Sequence, residues 1–356
     1  MSTKFTIHKA RNGDCILVRT FDSGGNEYNI LIDGGPTPTY DEALRDALAE
    51  LKDIHLLILT HIDSDHIGGL LKFLKSQAFE RITVHRYWFN AHNLLNISLG
   101  TDISFQQAKE MEQWLIQLGE SPEKYSDIVC FENEIYQLAP GINAIILSPT
   151  QQILDNLFSK WPELEARLLI SSDDNEISSE ETGVRMPALT LKQLSQQDFS
   201  PANKIEQDIF NSSSIAFLLE LTDCKLLLLG DARPEVVVTS LQAKGYNNKN
   251  NKLKADFVKI AHHGSRHNTS NQLLDMMDCT NYIISTNGGT ARHKHPDRDV
   301  IARIVYHAAR DLDKPIKVFF NYSLSYIESR KGPVLLPEDK NEGNWEIIDD
   351  TCKFSV

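Results

Sequence analysis

The chain has 356 residues, of which 41% are hydrophobic and 24% are charged, and its formal net charge is −13. No apolar run approaches the ~18 residues that span a bilayer, and the N-terminus lacks the apolar core of a signal peptide, so we expect a cytoplasmic protein. Five scattered cysteines without a CxxC pair argue against a disulfide framework and against a thiolate zinc site. The acidic charge disfavours indiscriminate binding to nucleic acid.

The first 35 residues predict three strands. Residues 5–8 and 15–19 predict a pair of strands, with turn residues at 12–14 between them. Residues 28–33 predict a third strand, which ends at a pair of glycines. Residues 40–53 then have apolar side chains at helical spacing and predict an amphipathic helix.

A cluster of metal-ligand residue types follows the next predicted strand, residues 54–59. His61, Asp63, Asp65 and His66 fall within six residues in the pattern HxDxDH, ahead of a predicted helix that begins near residue 70. A helix cap needs only one such aspartate, so four candidate ligands in one loop indicate a metal site. Imidazole and carboxylate together suit zinc, with manganese or iron as alternatives.

The middle of the chain alternates between regular elements and one polar segment. Residues 82–89 and 142–147 predict strands, and residues 104–119 predict a helix that ends at a glycine. Residues 150–212 begin with a helical pattern and continue as an acidic, polar stretch with little to bury. We interpret this segment as an insertion beside the loop that carries the four candidate ligands, the metal loop. The insertion would gate substrate, recognise a protein partner, or be a surface loop without a further role.

The last part of the chain places polar residues after three predicted strands. A hairpin at 214–229 ends at Gly230 and Asp231, residues 256–261 end at a His-His-Gly-Ser run, and residues 282–286 end at paired glycines. A helix at about 296–311 and two strands near 316–328 follow. Side chains at strand ends are held rigidly and remain accessible to substrate.

These motifs, in this order, resemble the metallo-β-lactamase fold superfamily. The resemblance rests on HxDxDH and on five further pieces: Asn12–Cys15, Leu31–Gly35, Leu229–Asp231, Ala261–Ser265 and, more weakly, Lys294–Pro296. Aspartate in the second position of HxDxDH resembles the metallo-hydrolase domain of bacterial competence-type DNA-uptake proteins. The resemblance implies an α/β fold, a four-layer αββα sandwich, formed by one domain over residues 1–356 with an insertion at about 150–212.

The resemblance also implies two divalent metal ions, Zn²⁺ or Mn²⁺, between the ends of the two sheets. The expected ligands are His61 and Asp63 at site one, Asp65, His66 and His263 at site two, and Asp231 bridging both ions. We prefer His263 to His262 as the ligand because the glycine that follows His263 gives the turn conformational freedom. The histidine that does not bind metal would then contact a ligand. Asp14 and Asp33 are expected either to support the ligands or to be ordinary turn residues.

The sequence departs from the family pattern at Ser148. Most members supply a further histidine to site one from this strand end, and serine is a poor zinc ligand. His85 and His92 are candidate replacements, although a lone histidine is more often an ordinary hydrogen-bonded residue. The carboxylate of Asp63 makes the same site richer in oxygen, which favours manganese or magnesium relative to zinc.

A cationic run, Arg292-His293-Lys294-His295, follows the paired glycines after residue 286. Beside metal ions, Lys294 and His295, with the hydroxyl of Ser265, would suit the oxygens of a substrate phosphate. The alternative is a solvated loop ahead of a helix, with Pro296 at its first turn.

The expected function is metal-dependent hydrolysis of a phosphodiester by activated water, as in a phosphodiesterase or nuclease. The expected catalytic residues are Asp65 and Asp231, with His262 or His295 protonating the leaving oxygen. One alternative is a hydrolase of a lactone, thioester or other ester. Another is a metal-binding scaffold with weak or no catalysis that engages a partner through the 150–212 insertion. No membrane partner is expected.

Overall fold

Two mixed β-sheets form the centre of the protein. The structure, a computed structural model, describes residues 2–90, 103–133, 135–159, 189–201, 204–247, 249–289, 294–339 and 343–356. The strands in these ranges are β1 (Lys4–Ile7), β2 (Ile16–Phe21), β3 (Glu27–Ile32), β4 (Asp53–Ile54), β5 (Leu56–Ile58), β6 (Thr83–Val84), β7 (Tyr87–Trp88), β8 (Ile135–Ala139), β9 (Ile142–Ser148), β10 (Ala216–Glu220), β11 (Lys225–Leu228), β12 (Leu253–Lys254), β13 (Phe257–Lys259), β14 (Met277–Asp278), β15 (Asn281–Ile284), β16 (Ile316–Phe320), β17 (Trp345–Ile348) and β18 (Lys353–Ser355).

The first sheet has the strand order β18-β1-β2-β3-β5-β7, and the second has the order β17-β16-β15-β13-β11-β10-β9-β8. Two short pairs, β4 with β6 and β12 with β14, lie outside these sheets. In the first sheet β3, β5 and β7 are parallel neighbours, and in the second β11, β13, β15 and β16 are parallel neighbours. The loops that follow parallel strands leave a sheet at one edge, so the candidate ligands after β5, β11 and β13 lie at such edges.

Helices cover the outer face of each sheet. They are α1 (Arg45–Ala47, after a π-helical turn at Tyr40–Leu44), α2 (Ser64–Leu74), α3 (Gln77–Arg81), α4 (Ile103–Gln117), α5 (residues 151–159), α6 (Leu191–Leu194), α7 (Ile209–Ser212), α8 (Pro234–Ala243), α9 (Asn271–Asp275), α10 (Arg298–Val305) and α11 (Leu324–Lys331). In the parts of the chain described, no helix is long and apolar enough to cross a membrane.

Alternating side chains build three apolar layers. In β10, Phe217 and Leu219 pack between the two sheets, whereas Ala216 and Leu218 face the helices outside the second sheet. In the first sheet, Ile30 and Ile32 pack inward while Leu31 faces the helices on the other side. This alternation is the period of a strand, and because both faces are covered almost every position is apolar. The predicted αββα sandwich is confirmed.

Several predicted boundaries were wrong. The helix predicted at 40–53 ends earlier because Asp53 and Ile54 form a short strand that pairs with β6. The helix predicted at 296–311 extends only over Arg298–Val305. Only the first of the two strands predicted near 316–328 exists, because Ser323 accepts a hydrogen bond from the Tyr326 amide and begins α11. Strands β8, β17 and β18 were not predicted. The insertion predicted at about 150–212 lies partly outside the described residues.

Candidate metal centre

The metal loop begins at the end of β5, where His61 is oriented through its Nδ1 atom. The Thr60 hydroxyl donates to Asp33 Oδ2 over 2.8 Å and lies 3.1 Å from His61 Nδ1. Since that hydroxyl has its proton on Asp33, it accepts from His61 Nδ1, which leaves Nε2 with a free lone pair. His61 Nε2 lies 3.4 Å from Asp63 Oδ2 and 3.9 Å from Asp231 Oδ2.

His66, in the first turn of α2, is held by the same aspartate. Its Nδ1 lies 2.8 Å from Asp33 Oδ2, and its Nε2 lies 3.5 Å from Asp231 Oδ2. Burial opposes protonation, but the carboxylates of Asp231 and Asp33 hold the pKa of His66 well above its ordinary value. A carboxylate that accepts from one ring nitrogen fixes the tautomer and directs the other nitrogen at a metal. Asp33 therefore orients His66 directly and His61 through the Thr60 hydroxyl.

Asp65 lies at the side of this pair. Its Oδ1 is 3.9 Å from His66 Nε2, and its Oδ2 accepts a 3.0 Å hydrogen bond from the Asn12 side-chain amide. Burial raises the pKa of Asp65 to about 6. A carboxylate in this setting gains from a nearby cation, which restores the charged form that burial disfavours.

The His262–His263 turn supplies two more imidazoles after β13. His262, His263 and Gly264 have φ values of 46°, 54° and 86°, and such left-handed torsions are unusual for histidine. His263 is buried and its Nδ1 donates to the Ser285 carbonyl over 2.9 Å, so that its Nε2 lies 3.9 Å from Asp231 Oδ2. His262 is partly exposed, and its Nε2 lies 3.8 Å from the same oxygen. Burial lowers the pKa of His263 to about 3, so this imidazole is neutral and ready to bind a metal.

One carboxylate oxygen is the focus of the site. Four imidazole nitrogens, from His61, His66, His262 and His263, lie between 3.5 and 3.9 Å from Asp231 Oδ2. Hydrogen bonds of the Asp231 backbone hold the carboxylate there. The backbone amide of Asp231 donates to Ser214 Oγ, and its backbone carbonyl accepts from the side-chain amide of Asn268, both over 3.0 Å. Burial acts against ionisation, but the imidazoles hold the pKa of Asp231 well below its usual range.

The unpartnered atoms of the site fit divalent metal ions. His61 Nε2, His66 Nε2, His263 Nε2, Asp231 Oδ1 and Asp14 Oδ1 are buried and have no hydrogen-bond partner among the described residues. Ligand atoms of Asp14, His66, Asp231 and His263 all lie within 4.8 Å of one another. Buried polar atoms without partners are costly and uncommon, and several that converge on one space are what a metal site requires. Imidazole nitrogens with carboxylate oxygens suit Zn²⁺ or Mn²⁺.

The structure also shows why Ser148 supplies no donor. Its buried hydroxyl donates to the Ser212 carbonyl over 3.5 Å and ties the end of β9 to the segment before β10. His85 does not replace it, because His85 Nε2 lies 2.8 Å from Asp53 Oδ1 at the start of the strands, whereas His61 follows their other end. His92 lies outside the described residues.

Part of the predicted phosphate-binding loop lies beside the centre. His295 has its ring centroid 5.3 Å from that of His262, and the Asp297 amide donates to the Gly264 carbonyl over 2.8 Å. Lys294 is exposed. Ser265 is buried and its hydroxyl accepts a 3.4 Å hydrogen bond from the His267 amide. Arg292 and His293 lie outside the described residues.

Three residues that touch the centre had not been expected to do so. Asn12 binds Asp65, Ser285 binds His263, and Lys259 forms a buried ion pair with Asp14. Lys259 left a signal in the sequence, since it is a charged residue in an otherwise apolar strand directly before the two histidines. Asn12 and Ser285 left none, because turn asparagines and strand-end serines are common.

Gly13 allows the loop between β1 and β2 to lie directly on the metal loop. A Cβ atom at Gly13 would be 1.7 Å from the carbonyl oxygen of Asp65, whereas Gly24 has only flexible side chains nearby. Gly13→Ala should therefore lower the free energy of unfolding by about 2–3 kcal/mol, as overpacking does, and weaken metal binding. Urea unfolding and metal titration would measure both, with Gly24→Ala as the control. Equal stability of the two variants would contradict this packing.

Comparison with known proteins agrees with this architecture. A family model described as the metallo-beta-lactamase superfamily matches residues 8–136, which include HxDxDH and the two supporting aspartates. No curated protein matches the chain.

Similar solved structures have low sequence identity. The metallo-beta-lactamase fold protein YhfI from Bacillus subtilis is 10% identical with a TM-score of 0.42, and the match covers 100% of this chain and 99% of that one. A diphosphatase from the PhnP family is 10% identical with a TM-score of 0.41, covering 100% and 98%. The long form of RNase Z from yeast is 14% identical with a TM-score of 0.40, covering 99% and 41%. From the family match over residues 8–136, the two-sheet sandwich and the converging ligand atoms, we conclude that this chain has the metallo-β-lactamase fold.

Proposed function

We propose that this protein is a metal-dependent hydrolase that cleaves a phosphodiester, with nucleic acid as the candidate natural substrate. The superfamily consists mostly of metal-dependent hydrolases. The observation that favours a phosphodiester is the position of His295, whose ring packs on His262 at the rim of the site. This position brings one residue of the cationic run to one of the imidazoles around Asp231. The resemblance of HxDxDH to competence-type DNA-uptake proteins favours the same substrate class.

The ligand assignment belongs to this proposal. His61 and Asp63 would hold one ion, Asp65, His66 and His263 the other, and Asp231 would contact both. When bound, the ions supply water of near-neutral pKa and polarise a phosphoryl oxygen. The chain's own groups would then position the substrate: His295, beside His262, and the exposed Lys294 would donate hydrogen bonds to the non-bridging oxygens.

His262 is the best-placed proton donor for the leaving oxygen. It is the more exposed of the paired histidines, its ring contacts His295, and no described residue forms a hydrogen bond with its Nδ1. His263 cannot serve in this way, since its Nδ1 donates to a backbone carbonyl and its Nε2 faces the metal space. In this proposal His263 binds metal and His262 moves protons, so the two neighbouring histidines have different roles.

Substrate assays of the metal-loaded protein test the proposal. Protein loaded with Mn²⁺ or Zn²⁺ should hydrolyse bis(p-nitrophenyl) phosphate and oligonucleotides faster than a lactone, a thioester or a neutral p-nitrophenyl ester. Preference for one of the carbon esters would instead support the alternative hydrolase class. Firm metal binding without turnover of any substrate would support the scaffold hypothesis, in which residues 150–212 engage a protein partner.

A charge-removing substitution tests the phosphate contact. Lys294→Ala should reduce kcat/KM for a phosphodiester roughly tenfold, about 1.5 kcal/mol, the low end for a hydrogen bond to a charged group because Lys294 is exposed. Turnover of a neutral ester should remain unchanged. Lys249→Ala, at an exposed lysine after the C-terminal end of α8, is the matched control. Equal losses on both substrates would show that Lys294 does not recognise phosphate.

A further inference from the structure

A buried lysine lies directly behind the metal centre. Lys259, the last residue of β13, is 1% exposed, and its ammonium group forms an ion pair with Asp14 Oδ2 and lies 3.5 Å from the Gly230 carbonyl. Burying two charges costs free energy that their attraction often only offsets, so such a pair is weak evidence for a stabilising role. The proposed hydrolysis makes no use of this lysine, and the pair therefore requires another explanation.

The second oxygen of Asp14, Oδ1, lies beside the candidate metal ligands. Asp14 Oδ1 is buried, has no hydrogen-bond partner in the part of the chain that the structure describes, and lies 3.8 Å from His263 Nδ1. Asp14 also contributes one of the four ligand atoms that lie within 4.8 Å of one another, together with His66, Asp231 and His263. A carboxylate that only paired with Lys259 would have no need to direct its other oxygen at these atoms.

The loop that carries Asp14 is docked rigidly on the centre. Its Asn12 donates to Asp65 Oδ2, its Gly13 contacts the Asp65 backbone, and the Gly13 carbonyl accepts from Ser285 Oγ over 3.4 Å. The loop thus touches residues from both sheets, and a side chain on it is placed as firmly as one on a strand end.

We propose that Asp14 is an additional ligand of the second metal site and that Lys259 is its internal counter-cation. Lys259 holds one oxygen of Asp14 and leaves the other for the ion, so the carboxylate binds through a single atom. A further oxygen donor makes this site harder and favours Mn²⁺ relative to Zn²⁺. The inference rests on the metal centre of the proposed function and not on its substrate, so it holds or fails by metal binding alone.

Two substitutions should change Mn²⁺ affinity in opposite directions. Asp14→Asn removes a charged donor and should weaken binding at the second site by roughly 100-fold, beyond the effect of most residues that act behind a ligand. Lys259→Met removes a positive charge close to the proposed ion and releases Asp14 Oδ2. It should therefore strengthen Mn²⁺ binding by roughly tenfold, because the positive charges of a lysine and a metal ion repel strongly in a buried site. Titration calorimetry of metal-depleted protein with Mn²⁺ measures both.

Thermal unfolding with and without Mn²⁺ gives a second readout. A bound ion stabilises the folded state in proportion to its affinity, so the increase in Tm on adding Mn²⁺ should grow in Lys259→Met and shrink in Asp14→Asn. The matched control is Arg298→Met, which breaks the ion pair with the fully buried Asp339 carboxylate. It should lower the Tm of the metal-free protein and leave Mn²⁺ affinity unchanged.

The double variant Asp14→Asn/Lys259→Met protects the test against misfolding, since it removes both buried charges together. Its Mn²⁺ affinity should stay below that of the wild type because the carboxylate donor is missing, but above that of Asp14→Asn because the repelling charge of Lys259 is gone. Wild-type affinity in the double variant, or a similar loss of affinity in both single variants, would overturn the proposal and leave the pair as a purely structural contact. Absence of phosphodiesterase activity would not affect these results.

Discussion

Asp231→Asn should release both metal ions and reduce kcat/KM by more than about 100-fold. Asp231 Oδ2 lies within 4 Å of four imidazole nitrogens, so this carboxylate is the one group shared by both proposed sites. Asparagine keeps the shape but removes the charge that attracts the cations. Loss of a residue that merely supports a ligand costs roughly 10–100-fold in metal affinity or activity, and a shared ligand should cost more.

Elemental analysis of the purified variant, together with a phosphodiester assay, measures this effect. Asp256→Asn is a suitable control, because Asp256 precedes β13 and accepts a hydrogen bond from the Lys225 amide, at the opposite end of the strand from the histidines. It should retain both ions. The metal content of Asp65→Ala should lie between those of Asp231→Asn and Asp256→Asn, because Asp65 is close to His66 alone among the metal-loop histidines. A full metal content in Asp231→Asn would disprove the bridging assignment.

The second large effect is an unequal loss of the two ions under a chelator. Site one has three donors in the proposed assignment, His61, Asp63 and Asp231, because Ser148 is engaged with the Ser212 carbonyl. Site two has the donors of Asp65, His66, His263 and Asp231. A site with fewer donors binds an ion less firmly. A site whose donors are mostly oxygens also binds Zn²⁺ more weakly, so the ion exchanges more readily. Site one should therefore empty first.

A chelator titration that follows bound metal and hydrolysis together tests this asymmetry. Activity should disappear while about one ion per chain remains, and it should return better with Mn²⁺ than with Zn²⁺. Asp63→Ala should already show the one-ion state before any chelator is added. Simultaneous loss of both ions, or recovery with Zn²⁺ alone, would contradict unequal sites.

The metal loop and the strand-end positions were predictable because their signals are local. HxDxDH places four ligand types within six residues, and the apolar stretches on either side identify the strand before it and the helix after it. The short apolar stretches of β3 and β10 likewise identify strands buried on both faces. Each of these patterns lies within about ten residues, so no knowledge of the packing was needed to read it.

Other elements depended on partners far away in the chain. Strand β18 exists because residues 353–355 pair with β1, and β17 because it pairs with β16 at the edge of the second sheet. Short edge strands carry little apolar periodicity of their own, and their structure comes from hydrogen bonds to a neighbour. The helix α11 was mistaken for a strand because Ile327 is its only buried residue, which leaves almost no helical pattern.

The sequence by itself determined the order of most strands and helices and the residue types that can bind metal, because both depend on neighbouring residues, and the αββα sandwich followed from the family resemblance of these motifs. Only the tertiary structure decided how these residues meet. Lys259 and Asp14 are 245 positions apart, and nothing in either segment indicates that they form an ion pair at the metal centre. His85 was a candidate ligand by residue type, but it lies between β6 and β7 beside Asp53, before the start of β5, whereas His61 follows the end of β5. Packing of the two sheets sets these distances, and packing is a property of the whole chain.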